Sequence, residues 1–170
     1  NDFWWGCKKL FGIDPSNFHH LEALHTLLQK HTNLPIPTIL EKHILNGREF
    51  VVVEKLTGNT VQSFIGQPDS VLISLGKGLA EIHKCNADYI GNPSCTFQVP
   101  LEEFKSHILK VSKELVNRFY SDNASIRNSF PAFESQLSSL PTPKESTLVL
   151  IDMDPTQFLS DGTTITGLVD

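Results

Sequence analysis

Apolar positions along the first third of the chain predict a strand, a helix and a β-hairpin, in that order. The aromatic-rich residues 3–11 are typical of a strand, and apolar side chains recur at helical spacing between residues 18 and 31. Two further apolar runs, 38–45 and 48–54, are separated by Asn46-Gly47, a dipeptide typical of two-residue hairpin turns. This order indicates a small lobe built on a mixed sheet.

After residue 57 the pattern becomes mostly helical. The spacing of apolar residues predicts helices over residues 60–65, 71–83, 101–120 and 129–140. The last stretch, 146–170, predicts instead a strand, a loop rich in carboxylates and a hairpin that turns at Asp161-Gly162. We therefore expect an α+β fold of two lobes: a small mixed-sheet lobe over residues 1–57, and a mostly helical lobe that ends in a β-hairpin over residues 58–170.

Composition narrows the class of protein. The chain has 170 residues, of which 39% are apolar and 19% charged, so it has enough apolar side chains to build a core. Its 14 basic and 19 acidic residues give a net charge of −5, which argues against a nucleic-acid polymer as partner. No apolar stretch is long enough to span a membrane. The three cysteines, Cys7, Cys85 and Cys95, lack metal-ligand spacing and favour a cytoplasmic location.

Four polar side chains near the C-terminal end could carry chemistry: Asp152, Asp154, Gln157 and Asp170. Gln157 and Asp170 stand at opposite ends of the predicted hairpin, so their side chains could face one point. An amide oxygen and a carboxylate suit Mg²⁺, and Asp152 within reach of that point could deprotonate a hydroxyl. The alternative is that these residues serve the backbone of turns, where Asp is common.

The sequence Leu-Ile-Asp-Met-Asp-Pro-Thr-Gln-Phe-Leu at 150–159, followed by Ile-Thr-Gly-Leu-Val-Asp at 165–170, resembles a kinase motif. It is similar to the catalytic region of the aminoglycoside phosphotransferase-like family of small-molecule kinases. The resemblance implies that Asp152 is the catalytic base and that Gln157 and Asp170 hold Mg²⁺ under the phosphates of ATP. It also implies a two-lobe, protein-kinase-like fold.

The same resemblance extends towards the N-terminal end of the chain. It implies that Lys9, a better candidate than Lys8, holds the phosphates and is positioned by Glu22 on the following helix. Residues 52–58 resemble the family's hinge, where Glu54 and Leu56 would meet adenine through backbone groups. The implied activity is transfer of the γ-phosphate of ATP to a hydroxyl of a small molecule, such as an aminoglycoside, macrolide, amino alcohol or sugar.

Two alternatives stay open. A kinase-like module that binds nucleotide without turnover is favoured by Leu150 and Gln157, which stand where the family has His and Asn. A plain interaction domain would bind neither nucleotide nor metal. The family also has a glycine-rich loop before the position of Phe3 and helices after that of Asp170, so we expect this chain to be part of a longer protein. The sequence leaves the acceptor and the oligomeric state open.

Overall fold

The computed structural model describes residues 2–14 and 18–169 of the chain. Among them, the helices are α1 (Asp2–Phe11), α2 (Phe18–His31), α3 (Asp69–Ile82), α4 (Phe104–Phe119) and α5 (Ala124–Ser139). The strands are β1 (Ile39–Leu45), β2 (Arg48–Val53), β3 (Asn59–Thr60), β4 (Asn86–Ala87), β5 (Tyr89–Gly91), β6 (Gln98–Pro100), β7 (Ser146–Thr147), β8 (Phe158–Ser160) and β9 (Ile165–Leu168). The fold class is α+β, as predicted, with 45% helix and 20% strand.

The chain divides into two units whose boundaries differ from a single break at residue 57. One unit combines residues 1–15 and 87–146, and the other combines residues 16–86 and 147–170. The described helices include none with the length and apolar content needed to cross a membrane. The expected lobes, 1–57 and 58–170, stay a prediction.

The predicted hairpin and the helix before it are confirmed. Strands β1 and β2 pair antiparallel from Ile39 opposite Val53 to Leu45 opposite Arg48. At the turn, Asn46 and Gly47 both have positive φ, 53° and 73°, which a right-twisted two-residue hairpin requires. Helix α2 spans the predicted residues 18–31.

Two elements were predicted wrongly. Residues 3–11, which include Lys9, form helix α1 instead of a strand. The residues on one side of this helix pack on the α4 region: the Trp5 and Phe119 rings lie 5.6 Å apart, and Gly6 and Cys7 are buried. Residues 60–65 are not helical, because β3 pairs with β8 and the Val61 amide donates to the Phe158 carbonyl at 2.9 Å. In both places tertiary partners override local propensity.

The unit of residues 16–86 and 147–170 has one hydrophobic core that joins α2, α3 and the β8–β9 hairpin. Its buried members are Leu28, Leu34, Ile36, Val61, Val71, Leu75, Ile82, Phe158, Ile165 and Leu168. Two backbone amides fix the hairpin further: Leu168 donates to the Pro35 carbonyl at 3.0 Å, and Ile165 donates to Ser74 Oγ at 3.2 Å. The β8–β9 hairpin, which follows the carboxylate-rich loop at residues 152–157, is therefore a fixed part of this unit.

The other unit is built mainly from α1, α4, α5 and the β5–β6 pair. His107 Nε2 on α4 lies 3.2 Å from the Leu10 carbonyl oxygen at the end of α1. Buried Asn92, between β5 and β6, donates to the Gly12 carbonyl at 3.1 Å and accepts from the Thr96 amide at 3.1 Å. These contacts hold the N-terminal helix against the segment 87–146.

Glu81 on α3 fixes the C-terminal end of α2. Its carboxylate accepts hydrogen bonds from the Asn33 amide at 2.6 Å, from Asn33 Nδ2 at 2.8 Å and from Thr32 Oγ1 at 3.1 Å. These bonds, led by that of the Asn33 amide, lower the pKa of Glu81 below its ordinary value. Because folding depresses this pKa, the ionised carboxylate stabilises the fold above the ordinary glutamate pKa of about 4.3, and this contribution is lost as pH falls through the lowered pKa.

We expect Glu81→Gln to lower Tm at pH 7, because the new NH₂ group would face the donors of Asn33. The difference from the wild type should shrink as the pH falls from the ordinary glutamate pKa of about 4.3 through the lowered pKa of Glu81, where the wild type takes up its proton. Thermal unfolding followed by circular dichroism from pH 7 to pH 3 measures this. Glu102→Gln, at an exposed position, serves as control. A Tm difference that does not vary with pH would contradict the assignment.

Candidate catalytic loop

The chain leaves the core through an extended segment that ends at Asp152. Leu148 and Leu150 are partly buried against the hydrophobic core, and the alternate residues Val149 and Ile151 are exposed. The Leu148 amide donates to the Cys85 carbonyl at 3.0 Å. The predicted strand is limited to Ser146–Thr147, and the loop that follows is held by its own side chains.

Asp152 is exposed, and both oxygens of its carboxylate accept a hydrogen bond. The Asp154 amide donates to Oδ1 at 2.9 Å, and Gln157 Nε2 lies 3.4 Å from Oδ2. The structure therefore brings together the predicted base and one of the two predicted metal ligands.

Asp154 caps the 3₁₀ turn Pro155–Gln157. Its Oδ1 accepts from the Thr156 amide at 2.9 Å and from Thr156 Oγ1 at 2.7 Å. These two bonds, with the side chain of Thr156 as the larger cause, hold the pKa of Asp154 below its ordinary value. Asp154 is thus ionised near neutral pH, and one of its oxygens is engaged within the loop.

Gln157 lies where the loop enters β8. Its amide donates to the Asp154 carbonyl at 3.1 Å, and its own carbonyl accepts from the Val169 amide at 2.9 Å. The strand ends are therefore side by side as far as residues 157 and 169. Asp170, the second predicted metal ligand, lies outside the described residues, so its pairing with Gln157 stays a prediction.

The predicted hairpin itself is confirmed. Strand β8 pairs antiparallel with β9, with Phe158 opposite Leu168 and Leu159 opposite Gly167. At the turn, Asp161 Oδ1 accepts from the Thr163 amide at 2.8 Å, from Thr163 Oγ1 at 2.7 Å and from the Thr164 amide at 2.9 Å. The two ends of the hairpin thus carry the same Asp-x-Thr arrangement, once beside Asp152 and once at the distant turn.

The predicted hinge lies along β9. Thr166 Oγ1 donates to the Thr57 carbonyl at 2.6 Å, and the side chain of Leu56 packs over Gly167. A Cβ on Gly58 would lie 2.3 Å from Thr166 Oγ1, so this close approach requires glycine. The structure thus places the Leu56 segment beside the strand that precedes Asp170.

Glu54, the other predicted hinge residue, is tied to the start of the β1–β2 hairpin. Its amide donates to the Thr38 carbonyl at 2.8 Å, and its carboxylate accepts from the Thr38 amide at 3.4 Å. Among the described residues, no hydrogen-bond partner is found for the Leu56 amide. This amide is consistent with the expected backbone contact to adenine.

Lys9 and Glu22 belong to different units, and their expected pairing stays a prediction. Lys9, on helix α1 and not on a strand, has its Nζ 5.8 Å from the Trp5 ring centroid. Glu22 on α2 forms an ion pair with Lys42 of β1. Sequence reasoning missed Lys42, because its approach to Glu22 depends on how α2 packs on the hairpin as well as on strand alternation.

Neither a protein-family model nor a curated protein sequence matches the chain. Membership of the aminoglycoside phosphotransferase-like family, suggested by the motif, therefore stays a prediction.

Proposed function

We propose that this protein transfers the γ-phosphate of ATP to a hydroxyl of a small molecule. The observation that supports this most is the contact between Asp152 and Gln157 at the entrance of a hairpin fixed in the core. With it we infer the two-lobe protein-kinase-like fold and the family relationship to small-molecule kinases that the motif implies. The cytoplasmic location indicated by the cysteines is part of the same proposal.

Asp152 is suited to act as the general base. A carboxylate has about four acceptor positions on its two oxygens, and the described contacts of Asp152 use two of them. The side chain is exposed, so a hydroxyl of the acceptor could reach a remaining position. Accepting that proton as the oxygen attacks phosphorus is the step assigned to such a carboxylate in phosphoryl transfer.

The donor set fits a magnesium ion. Gln157 points its Nε2 group towards Asp152, so its carbonyl oxygen Oε1 stays available as a hard ligand. Asp170 follows Val169, whose amide is bonded to the Gln157 carbonyl, and would supply a carboxylate. When bound, Mg²⁺ would neutralise charge on the phosphates of ATP.

The adenine of the nucleotide would be bound by the predicted hinge. The backbone of residues 54–56 would contact it, with the Leu56 amide as donor. In this arrangement most of the rate enhancement comes from positioning and from charge stabilisation.

A second candidate function is nucleotide binding without turnover. The observation that favours it is the packing of Leu150 against the hydrophobic core, at a position where the resembling family has His. An apolar side chain there offers no hydrogen bond to the catalytic loop. Phosphate transfer from ATP to a panel of aminoglycosides, macrolides, amino alcohols and sugars separates the two functions, because the binding module would give none.

The metal ligands can be tested by removing them one at a time. We expect Gln157→Ala and Asp170→Ala to weaken ATP binding about tenfold or more in the presence of Mg²⁺, because each removes an oxygen ligand. Without Mg²⁺ the two variants should bind ATP as the wild type does. Calorimetry with and without Mg²⁺ measures this, with the exposed Gln136→Ala as control. Equal Mg²⁺-dependent affinities in all four proteins would rule out the metal site.

A further inference from the structure

The loop between Asp152 and Gln157 is held together by one residue, Asp154, which the proposed chemistry does not use. Asp154 receives both the amide and the hydroxyl of Thr156 on a single oxygen, at 2.9 and 2.7 Å. Its own amide donates to Asp152 Oδ1 at 2.9 Å, and its carbonyl accepts from the Gln157 amide at 3.1 Å. Apart from the Phe158 amide, which donates to the Pro155 carbonyl at the end of the turn, the described hydrogen bonds within the loop involve Asp154 or join Asp152 to Gln157.

We propose that Asp154 is a positioning residue, which holds Asp152 and Gln157 in the geometry needed for phosphoryl transfer. This inference rests on the proposed function. Capping by the Asp154 carboxylate fixes the 3₁₀ turn Pro155–Gln157, and that turn sets where the Gln157 side chain begins. The Asp154 amide meanwhile fixes one oxygen of Asp152. Asp152 is exposed and Gln157 is only half-buried, so this short network takes the place of the burial that orients catalytic groups elsewhere.

A positioning role for Asp154 and a role as general base make different demands on its side chain. A positioning Asp154 needs only an oxygen that accepts from Thr156, and an asparagine side chain supplies one equally well. A base must take up a proton, which an asparagine cannot do. The conservative variant Asp154→Asn therefore distinguishes the two roles.

The chain contains a matched control for the loss of such a cap. Asp161 accepts from the amide and hydroxyl of Thr163 at 2.8 and 2.7 Å, the same arrangement as Asp154 with Thr156. It stands at the exposed turn between β8 and β9, at the opposite end of the hairpin from Asp152. Asp161→Ala removes this cap, together with one further bond from the Thr164 amide, from the same hairpin without touching the loop.

The experiment compares the full chain as wild type, Asp154→Ala, Asp154→Asn and Asp161→Ala. We expect kcat to fall about 10- to 100-fold in Asp154→Ala, because a displacement of about 1 Å at a reacting group costs rate of that order. The acceptor KM should change less than about twofold. Asp154→Asn and Asp161→Ala should keep kcat within about threefold of the wild type. Equal kcat in Asp154→Ala and the wild type would overturn the proposal, and so would an inactive Asp154→Asn, which would identify Asp154 as the base.

A second measurement is independent of turnover. Backbone ¹⁵N order parameters of residues 152–157 should fall in Asp154→Ala and stay at wild-type values in Asp161→Ala. Unchanged order in Asp154→Ala would overturn the proposal. A wild-type chain without turnover on any acceptor would remove the proposed function and the catalytic consequence of Asp154 with it. The order parameters would then still show whether Asp154 holds the loop.

Discussion

Replacing Asp152 with asparagine is expected to lower kcat by about 10² to 10⁴, the usual cost of losing a general base. Asparagine keeps the size of the side chain, and its oxygen still accepts from the Asp154 amide or from Gln157. It cannot accept the proton of the attacking hydroxyl. The Kd for ATP in the presence of Mg²⁺ should therefore stay close to that of the wild type, because Asp152 is assigned no contact with the nucleotide.

Steady-state phosphate transfer and calorimetry on the same preparations measure the two quantities. Asp161→Asn is the control: it makes the same chemical change in the same hairpin, and its amide oxygen still accepts from the turn. A tenfold or greater loss of rate in both variants would point to a disturbed hairpin instead of a missing base. Wild-type turnover in Asp152→Asn would exclude Asp152 as the base.

The largest expected loss of stability comes from Phe158. This side chain is fully buried in the hydrophobic core that joins α2, α3 and the β8–β9 hairpin. The centre of its ring lies 5.8 Å from that of Phe64. We expect Phe158→Ala to lower the free energy of unfolding by about 3–5 kcal/mol, because it removes apolar contact and leaves a cavity. Phe158 directly follows Gln157, so the same change should also loosen the entrance of the hairpin.

Urea denaturation followed by tryptophan fluorescence and circular dichroism measures this loss. Phe50→Ala on β2 is the matched control, since that side chain is 48% exposed and should cost about 1 kcal/mol or less. Equal losses in the two variants would contradict the assignment of the core. Phe158→Leu should recover part of the loss, because it refills much of the cavity.

The parts of the fold that could be predicted are those whose backbone conformation is determined by neighbouring residues in the sequence. The turn at Asn46 and Gly47 requires two residues that tolerate positive φ, and the hairpin formed there. Helix α2 followed from its apolar spacing alone. Residues 3–11 did not follow the prediction, since three consecutive aromatic residues suit a strand surface and also suit a helix that packs on α4. Only the tertiary partner distinguishes those two outcomes.

The candidate site shows the same division. The hairpin follows from the pattern along the chain and is found in the structure, where Gln157 also approaches Asp152. The meeting of Gln157 with Asp170 stays a prediction. The hydrogen bond from Thr156 to the capping carboxylate of Asp154 is a local turn contact, which the Asp-x-Thr spacing allows but does not require. The ion pair of Glu22 with Lys42 depends on the packing of a helix against a sheet, which no periodicity in one segment encodes.

The β1–β2 hairpin has a consequence for solubility. Among the described residues, each of its strands pairs only with the other, so each keeps one open edge, and Leu40, Ile44 and Phe50 are exposed. Open apolar edges are templates for intermolecular strand addition, and charged residues within a strand oppose it. Glu41 and Lys42 interrupt the apolar positions of β1 with charge, and we expect them to oppose strand addition at this hairpin.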